Sequence, residues 1–234
     1  GYAEYVAAPK ELVLPIPENW NFIEAASLPE NMFTVYDNVF MRARFRAGES
    51  ILIHGGSSGV GTTAIMLARA FGAGFIAVTA GSDEKCNACR ELGADLAINY
   101  RNADFVTEVK KATHDRGVDV IFDLVGGDYI ARDLDALAVE GRITCIATPG
   151  GRTAEIDLGK LLQRRGAIMA SHLRARTVAE KAPIARELLQ NVWPLLPARN
   201  PIQYAQSSTR SSNSTKSQKP TAAWNNHCTS ARSY

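Results

Sequence analysis

Ile51-Leu52-Ile53-His54-Gly55-Gly56-Ser57-Ser58-Gly59-Val60-Gly61 decides the fold of this chain. A short apolar, β-branched run ends at His54, and glycines follow at once. Val60, Ala64, Leu67, Ala68 and Phe71 then recur at helical spacing. Phosphate binding needs strand, glycine loop and helix in that order. Glycine lets the backbone turn tightly and approach a pyrophosphate, and the free N–H groups and dipole of a helix N-terminus favour an anion. The spacing Gly56-x-x-Gly59-x-Gly61 departs from the standard Gly-x-Gly-x-x-Gly, and no Gly-Lys-Ser/Thr follows. The loop therefore reads as a dinucleotide-binding turn and not as a P-loop.

Working outward, strands are expected at residues 50–54, 74–79, 95–99, 118–124, 142–147 and 167–171. Helices are expected at 60–71, 83–92, 104–112, 128–139 (closed by Gly141) and 178–192. This alternation predicts an α/β fold, a doubly wound parallel sheet of the Rossmann type with right-handed crossovers. Upstream, residues 2–6 read as a strand, and Pro9, Pro15 and Pro17 punctuate an extended lead-in. Residues 21–47 carry helical spacing that would bury Ile23, Ala26, Phe33, Val35, Tyr36, Val39 and Phe40, with Pro29 breaking the run. The expected division is a lead-in at 1–20, the Rossmann domain at 21–198 and a polar tail at 199–234. From Pro201 the tail holds eight Ser, four Thr and no acid, and reads as disordered or unrelated to the fold.

Composition sets the outer bounds. The chain has 234 residues, 46% of them hydrophobic, enough for one or two domains at roughly 150 residues each. Lys and Arg number 26 against 24 Asp and Glu, but Arg199, Arg210, Lys216, Lys219 and Arg232 all lie in the acid-free tail. The body is thus mildly acidic and shows no basic run, which argues against a nucleic-acid binder. No apolar stretch approaches the roughly 20 residues of a membrane span, and no secretory leader is visible, so a cytoplasmic protein is expected. A first residue of Gly1 and not Met suggests a fragment. Cys86-Asn-Ala-Cys89 is the one close cysteine pair, and it reads as two small apolar residues in a helix. The four histidines are scattered, so no metal site is expected. No triad or carboxylate pair identifies a catalytic residue. Asp123 and Asp128 flank the Gly126-Gly127 turn as turn and cap residues.

The end of the second strand selects the dinucleotide. An NAD site places an acid there for the ribose 2′-hydroxyl. Here Val78-Thr79-Ala80-Gly81-Ser82 offers none. Ser82 can donate to a phosphate, and Lys85 stands one turn into the next helix as a cation. NADPH is expected over NADH, with Asp83 and Glu84 weighing the other way.

Several motifs together carry a family resemblance. They are His54-Gly-Gly-Ser-Ser-Gly-Val-Gly61, Thr79-Ala-Gly-Ser-Asp-Glu-Lys85, Leu92-Gly-Ala-Asp95 with Asn99-Tyr100, and Phe122-Asp-Leu-Val-Gly-Gly127. Gly1-Tyr-Ala-Glu-Tyr-Val6, Ala25-Ala-Ser-Leu-Pro29 and Thr34-Val-Tyr36 add to them. The chain resembles the zinc-independent, zeta-crystallin-like quinone oxidoreductases of the medium-chain dehydrogenase/reductase superfamily. The resemblance implies NADPH-dependent hydride transfer to a quinone or another α,β-unsaturated carbonyl. It implies that Gly56, Ser58, Gly59, Val60 and Gly61 form the pyrophosphate turn. Ser82, Lys85 and Tyr100 would surround the 2′-phosphate and adenosine ribose. Thr34 would sit near the nicotinamide, and Val125 and Ile146 would line the cofactor groove. It further implies a GroES-like catalytic domain of which residues 1–20 are a remnant, and a homodimer paired along residues 167–171. Two other readings stay open: an enoyl-reductase module of a polyketide or fatty-acid synthase, and a non-catalytic NADPH- or RNA-binding module.

Overall fold

A computed structural model describes residues 4–18 and 20–196. The chain forms two compact units. One takes in the described residues up to Phe33 and from Leu173 onward; the other is Thr34–His172.

The larger unit is the expected parallel sheet. Its strands are β1 (Ser50–Ile53), β2 (Phe75–Ala80), β3 (Leu96–Asn99), β4 (Val118–Asp123), β5 (Leu137–Cys145) and β6 (Ala167–Ala170), in the order β3-β2-β1-β4-β5-β6. All neighbours pair in parallel, for example Ile51 with Ile76 and with Val120. Every residue of the central strands β1 and β4 is buried, the continuous apolar run that helices on both faces require. Leu52, Ile121, Leu134, Leu137 and Phe105 meet in one core, each contributing roughly 1.5–3 kcal/mol by leaving water. Between the strands run α3 (Gly59–Ala70), α4 (Asp83–Glu91), α5 (Phe105–Ala112), α6 (Tyr129–Ala136) and α7 (Leu158–Arg164). Ser58, Ser82, Asp104 and Asp157 cap α3, α4, α5 and α7, each side chain accepting from the backbone N–H three residues on.

At the amino edge, the Asp119 carboxylate accepts from the Ser50 N–H (2.8 Å) and hydroxyl (2.7 Å) and pairs with Arg116. Burial alone would raise the pKa of this carboxyl, but Arg116 and the Ser50 donors win and hold it below its ordinary value. A carboxyl depressed in the folded state stabilises the fold above its unfolded pKa of about 3.9 and stops doing so as pH falls through the folded value. Asp119→Asn should therefore lower the denaturation midpoint at pH 7, and the deficit should shrink progressively once the pH drops below about 4. A deficit independent of pH would show that the carboxylate charge contributes nothing.

Several sequence expectations are corrected. Helix α6 stops at Ala136, and Leu137–Val139 open β5 instead of ending a helix at 139. Leu137 pairs with Val118 and Arg142 with Val120, so the extra residues bulge out and Glu140 takes φ 63°. A short apolar run fits either period, and here the sheet partner decides. Glu4–Val6 forms no strand among the described residues; Tyr5 is 89% exposed, without a ladder to join. The helical run does break after Ala26, just before Pro29, and Pro29 begins the next helix. The smaller unit holds a turn at Lys10–Leu12, α1 (Phe22–Ala26), α8 (Val178–Asn191) and the start of α2 (Pro29–Val35). Phe33, Val35, Tyr36 and Val39 are buried as expected, whereas Ile23 and Ala26 face outward. Helix α7, with no strong apolar period, went unread. The tail at 199–234 and the first three residues lie outside the described residues.

Candidate active site

Parallel strands bring the ends of β1 to β5 to one edge, and the candidate residues collect there. The β1–α3 turn holds the glycines. The Gly56 N–H donates to the Thr79 carbonyl (2.9 Å) and the Gly61 N–H to Ser58 Oγ (3.0 Å), so neither is free for a ligand. Gly59 and Val60, in the first turn of α3, have no acceptor within the helix. Gly56 and Gly61 serve by size instead. A Cβ on Gly56 would fall 2.7 Å from Val78 Cβ, and one on Gly61 would collide with the Gly55 carbonyl and lie 2.7 Å from Gly56 Cα.

At the end of β2, the Ser82 hydroxyl accepts from the Lys85 N–H (3.2 Å), and the Lys85 ammonium is exposed. Asp83, the acid that weighed towards NADH, accepts from Asn99 Nδ2 at 2.8 Å and is thereby engaged. Tyr100, 46% exposed, follows β3 and lays its hydroxyl against Gly81. Ser82, Lys85 and Tyr100 thus all follow the carboxyl ends of the paired strands β2 and β3. Val125 and Ile146 follow neighbouring strands. The Asp123 carboxylate accepts from the N–H groups of Val125 (2.6 Å) and Gly126, and the Asp123 carbonyl accepts from the Ile146 N–H (3.0 Å). Asp123 is thus the turn residue expected, while Asp128 starts α6 without capping it. Cys86 and Cys89 are buried on α4, and burial pushes the Cys89 thiol up to about 12, which leaves it inert.

Two buried networks escaped the sequence reading. His54 lies fully buried under the loop, Nε2 at 2.8 Å from Asp133 Oδ1 and Nδ1 at 3.0 Å from Thr79 Oγ1. The Gly55 N–H in turn reaches Thr79 Oγ1 at 3.3 Å. One proton placement satisfies the chain: Gly55 donates to Thr79, Thr79 to His54 Nδ1, and His54 Nε2–H to the Asp133 carboxylate. Burial pushes the Asp133 carboxyl up, against the pull of His54, and its Oδ2 has no hydrogen-bond partner. Phe105 and Tyr129 close on the imidazole at 4.7 and 5.0 Å. The second network begins where α2 runs on as a wider π-helical stretch, Tyr36–Arg42. Buried Asn38 donates to the Thr34 carbonyl (2.9 Å) and accepts from Thr144 (3.2 Å) and Ser171 (2.7 Å). Thr34 is thereby tied to the ends of β5 and β6. A strand end followed by His, and an Asn in an apolar helix, were the only signals available.

Residues 59–190 match the family described as zinc-binding dehydrogenase. The chain belongs to that family. Its likeness to quinone oxidoreductases places it in the medium-chain dehydrogenase/reductase superfamily, as expected. It is 32% identical over 212 residues to the quinone oxidoreductase of Mus musculus, covering 88% of this chain and 63% of that protein. The chain spans less than two-thirds of the length of the curated relatives it matches. Among solved structures, Escherichia coli quinone oxidoreductase complexed with NADPH matches with TM-score 0.63 and 28% identity, over 77% of this chain and 56% of that one. The CurF ER cyclopropanase from the curacin A biosynthetic pathway matches with TM-score 0.68 and 30% identity, over 82% and 56%. Despite the family's description, no group of three or more His, Cys, Asp or Glu among the described residues could hold a metal ion. No described helix is long and apolar enough to cross a membrane.

Proposed function

We propose that this chain is the dinucleotide-binding part of an NADPH-dependent reductase of a quinone or another α,β-unsaturated carbonyl. One observation supports the reading most: the α3 N-terminus offers two N–H groups without an intrahelical acceptor, while the neighbouring strand β2 leads into Ser82 and Lys85 at the start of α4, with the nearest acid, Asp83, tied to Asn99. Those residues fit NADPH. The bound nucleotide supplies a hydride; the protein supplies binding and orientation. Gly59 and Val60 would hold the pyrophosphate by their N–H groups, helped by the helix dipole. Ser82 and Lys85 would take the 2′-phosphate, and Tyr100 would flank the ribose. Thr34, Val125 and Ile146 would border the nicotinamide, fixed by Asn38 and Asp123. The likeness to CurF favours a second reading on the same site, an enoyl-reductase module of a synthase, with the same hydride chemistry on a different carbonyl compound.

Calorimetric titration with NADPH and NADH tests the proposal. The parent chain should prefer NADPH, and Lys85→Ala should weaken it about tenfold while leaving NADH nearly unchanged, the effect of one charge-assisted contact. Equal losses for both nucleotides would remove Lys85 from the 2′-phosphate site.

A further inference from the structure

The sequence scatters its arginines, but the fold gathers five of them at the amino edge of the sheet. Arg42, Arg44, Arg46, Arg116 and Arg142 line a cleft of about 660 Å3. It opens at the starts of β4, β5 and β6, a strand's length from the glycine loop. Three carboxylates share the cleft, and each already has a cation. Glu49 is held by both terminal nitrogens of Arg142 (2.9 Å each), Asp119 by Arg116, and Glu140 by Arg165 from outside. Arg42 reaches only the Ala170 carbonyl, at 3.4 Å. Arg44 and Arg46 make no ion pair among the described residues. Three guanidinium groups therefore face one concavity without counter-charge.

The display of Arg44 is costly and supported. Its backbone stands at φ 52°, a left-handed conformation that a residue with a Cβ seldom adopts. Arg142 holds it there. Its Nε donates to the Ala43 carbonyl (2.8 Å), one terminal nitrogen to the Arg44 carbonyl (3.3 Å), and the other to the Asp119 carbonyl (3.3 Å). The Phe45 N–H donates back to Val39 (3.0 Å). A strained surface arginine gripped by a half-buried one is the kind of backbone outlier that marks a working site.

We propose that this cleft binds a small oligophosphate. The guanidinium fork matches phosphate oxygens two at a time, and several forks in one concavity suit a compact, multiply charged anion. A nucleic acid fits less well. The cleft residues include no aromatic ring for base stacking, and carboxylates share its wall.

The test is titration of the full chain with sodium tripolyphosphate at low ionic strength. The parent should bind it. The double variant Arg44→Ala with Arg46→Ala should lose about tenfold or more in affinity and keep its NADPH affinity. Arg44→Gly should raise the melting midpoint by about 2 °C, since glycine accepts the left-handed backbone, and still weaken tripolyphosphate. That variant separates lost recognition from lost folding. Absence of binding by the parent would overturn the proposal. So would an equal loss in Lys85→Ala, which would put the anion at the start of α4. Tighter binding of a short single-stranded RNA through the same arginines would replace it with a nucleic-acid site. None of these outcomes bears on the NADPH reading, which rests on the opposite edge.

Discussion

The Asp133→Ala chain should melt roughly 10 °C below its parent, as expected for a loss of about 3 kcal/mol in a domain this size. Asp133 and His54 are both fully buried, and removing the carboxylate leaves a His54 Nε2–H with no acceptor. Such an orphan donor costs about 1–3 kcal/mol, and the emptied volume adds to it. Asp133→Asn should recover most of the loss, because its amide oxygen still accepts from Nε2 without a buried charge. Burial pushes the pKa of Asp133 up, which says that this charge is expensive to keep there. Thermal melts of the two variants decide the matter. If Asn proved as damaging as Ala, the carboxylate charge itself and not the hydrogen bond would be holding His54.

Gly61→Ala should abolish dinucleotide binding to the limit of titration, a loss of about a hundredfold or more, because it displaces the binding backbone itself. The added Cβ would meet the Gly55 carbonyl and the Gly56 Cα, both backbone atoms that cannot turn aside. Helix α3 must then back away from the loop, carrying Gly59 and Val60 with it. A folded Gly61→Ala chain that still bound NADPH as the parent does would move the pyrophosphate off this helix. Circular dichroism on the same sample would show that the rest of the sheet survives.

What the sequence disclosed, and what it withheld, follows from range. The β1–α3 turn was legible because its signal is local: strand, glycines and helix stand within a dozen residues or so of each other. The sheet was legible because each strand-and-helix pair repeats the same period. The β5 start was misread because Leu137–Val139 fits a helix or a strand until Val118 is beside it. His54, Thr79 and Asp133 are 25 and 79 residues apart from the histidine, so no spacing rule links them. Asn38 meets Thr144 and Ser171 across 106 and 133 residues, with the same result. Ile23 and Ala26 were expected inside because helical spacing tells which residues share a face, not whether anything covers it.

The uniform direction of the six strands has one more consequence. Every connection that leaves a strand does so at one rim, and every connection that enters does so at the other. Changes in the entering loops, Arg44 and its neighbours among them, never pass through the loops that would choose between NADPH and NADH. Natural drift or a protein engineer could therefore rewrite one rim wholesale and leave the specificity of the other untouched.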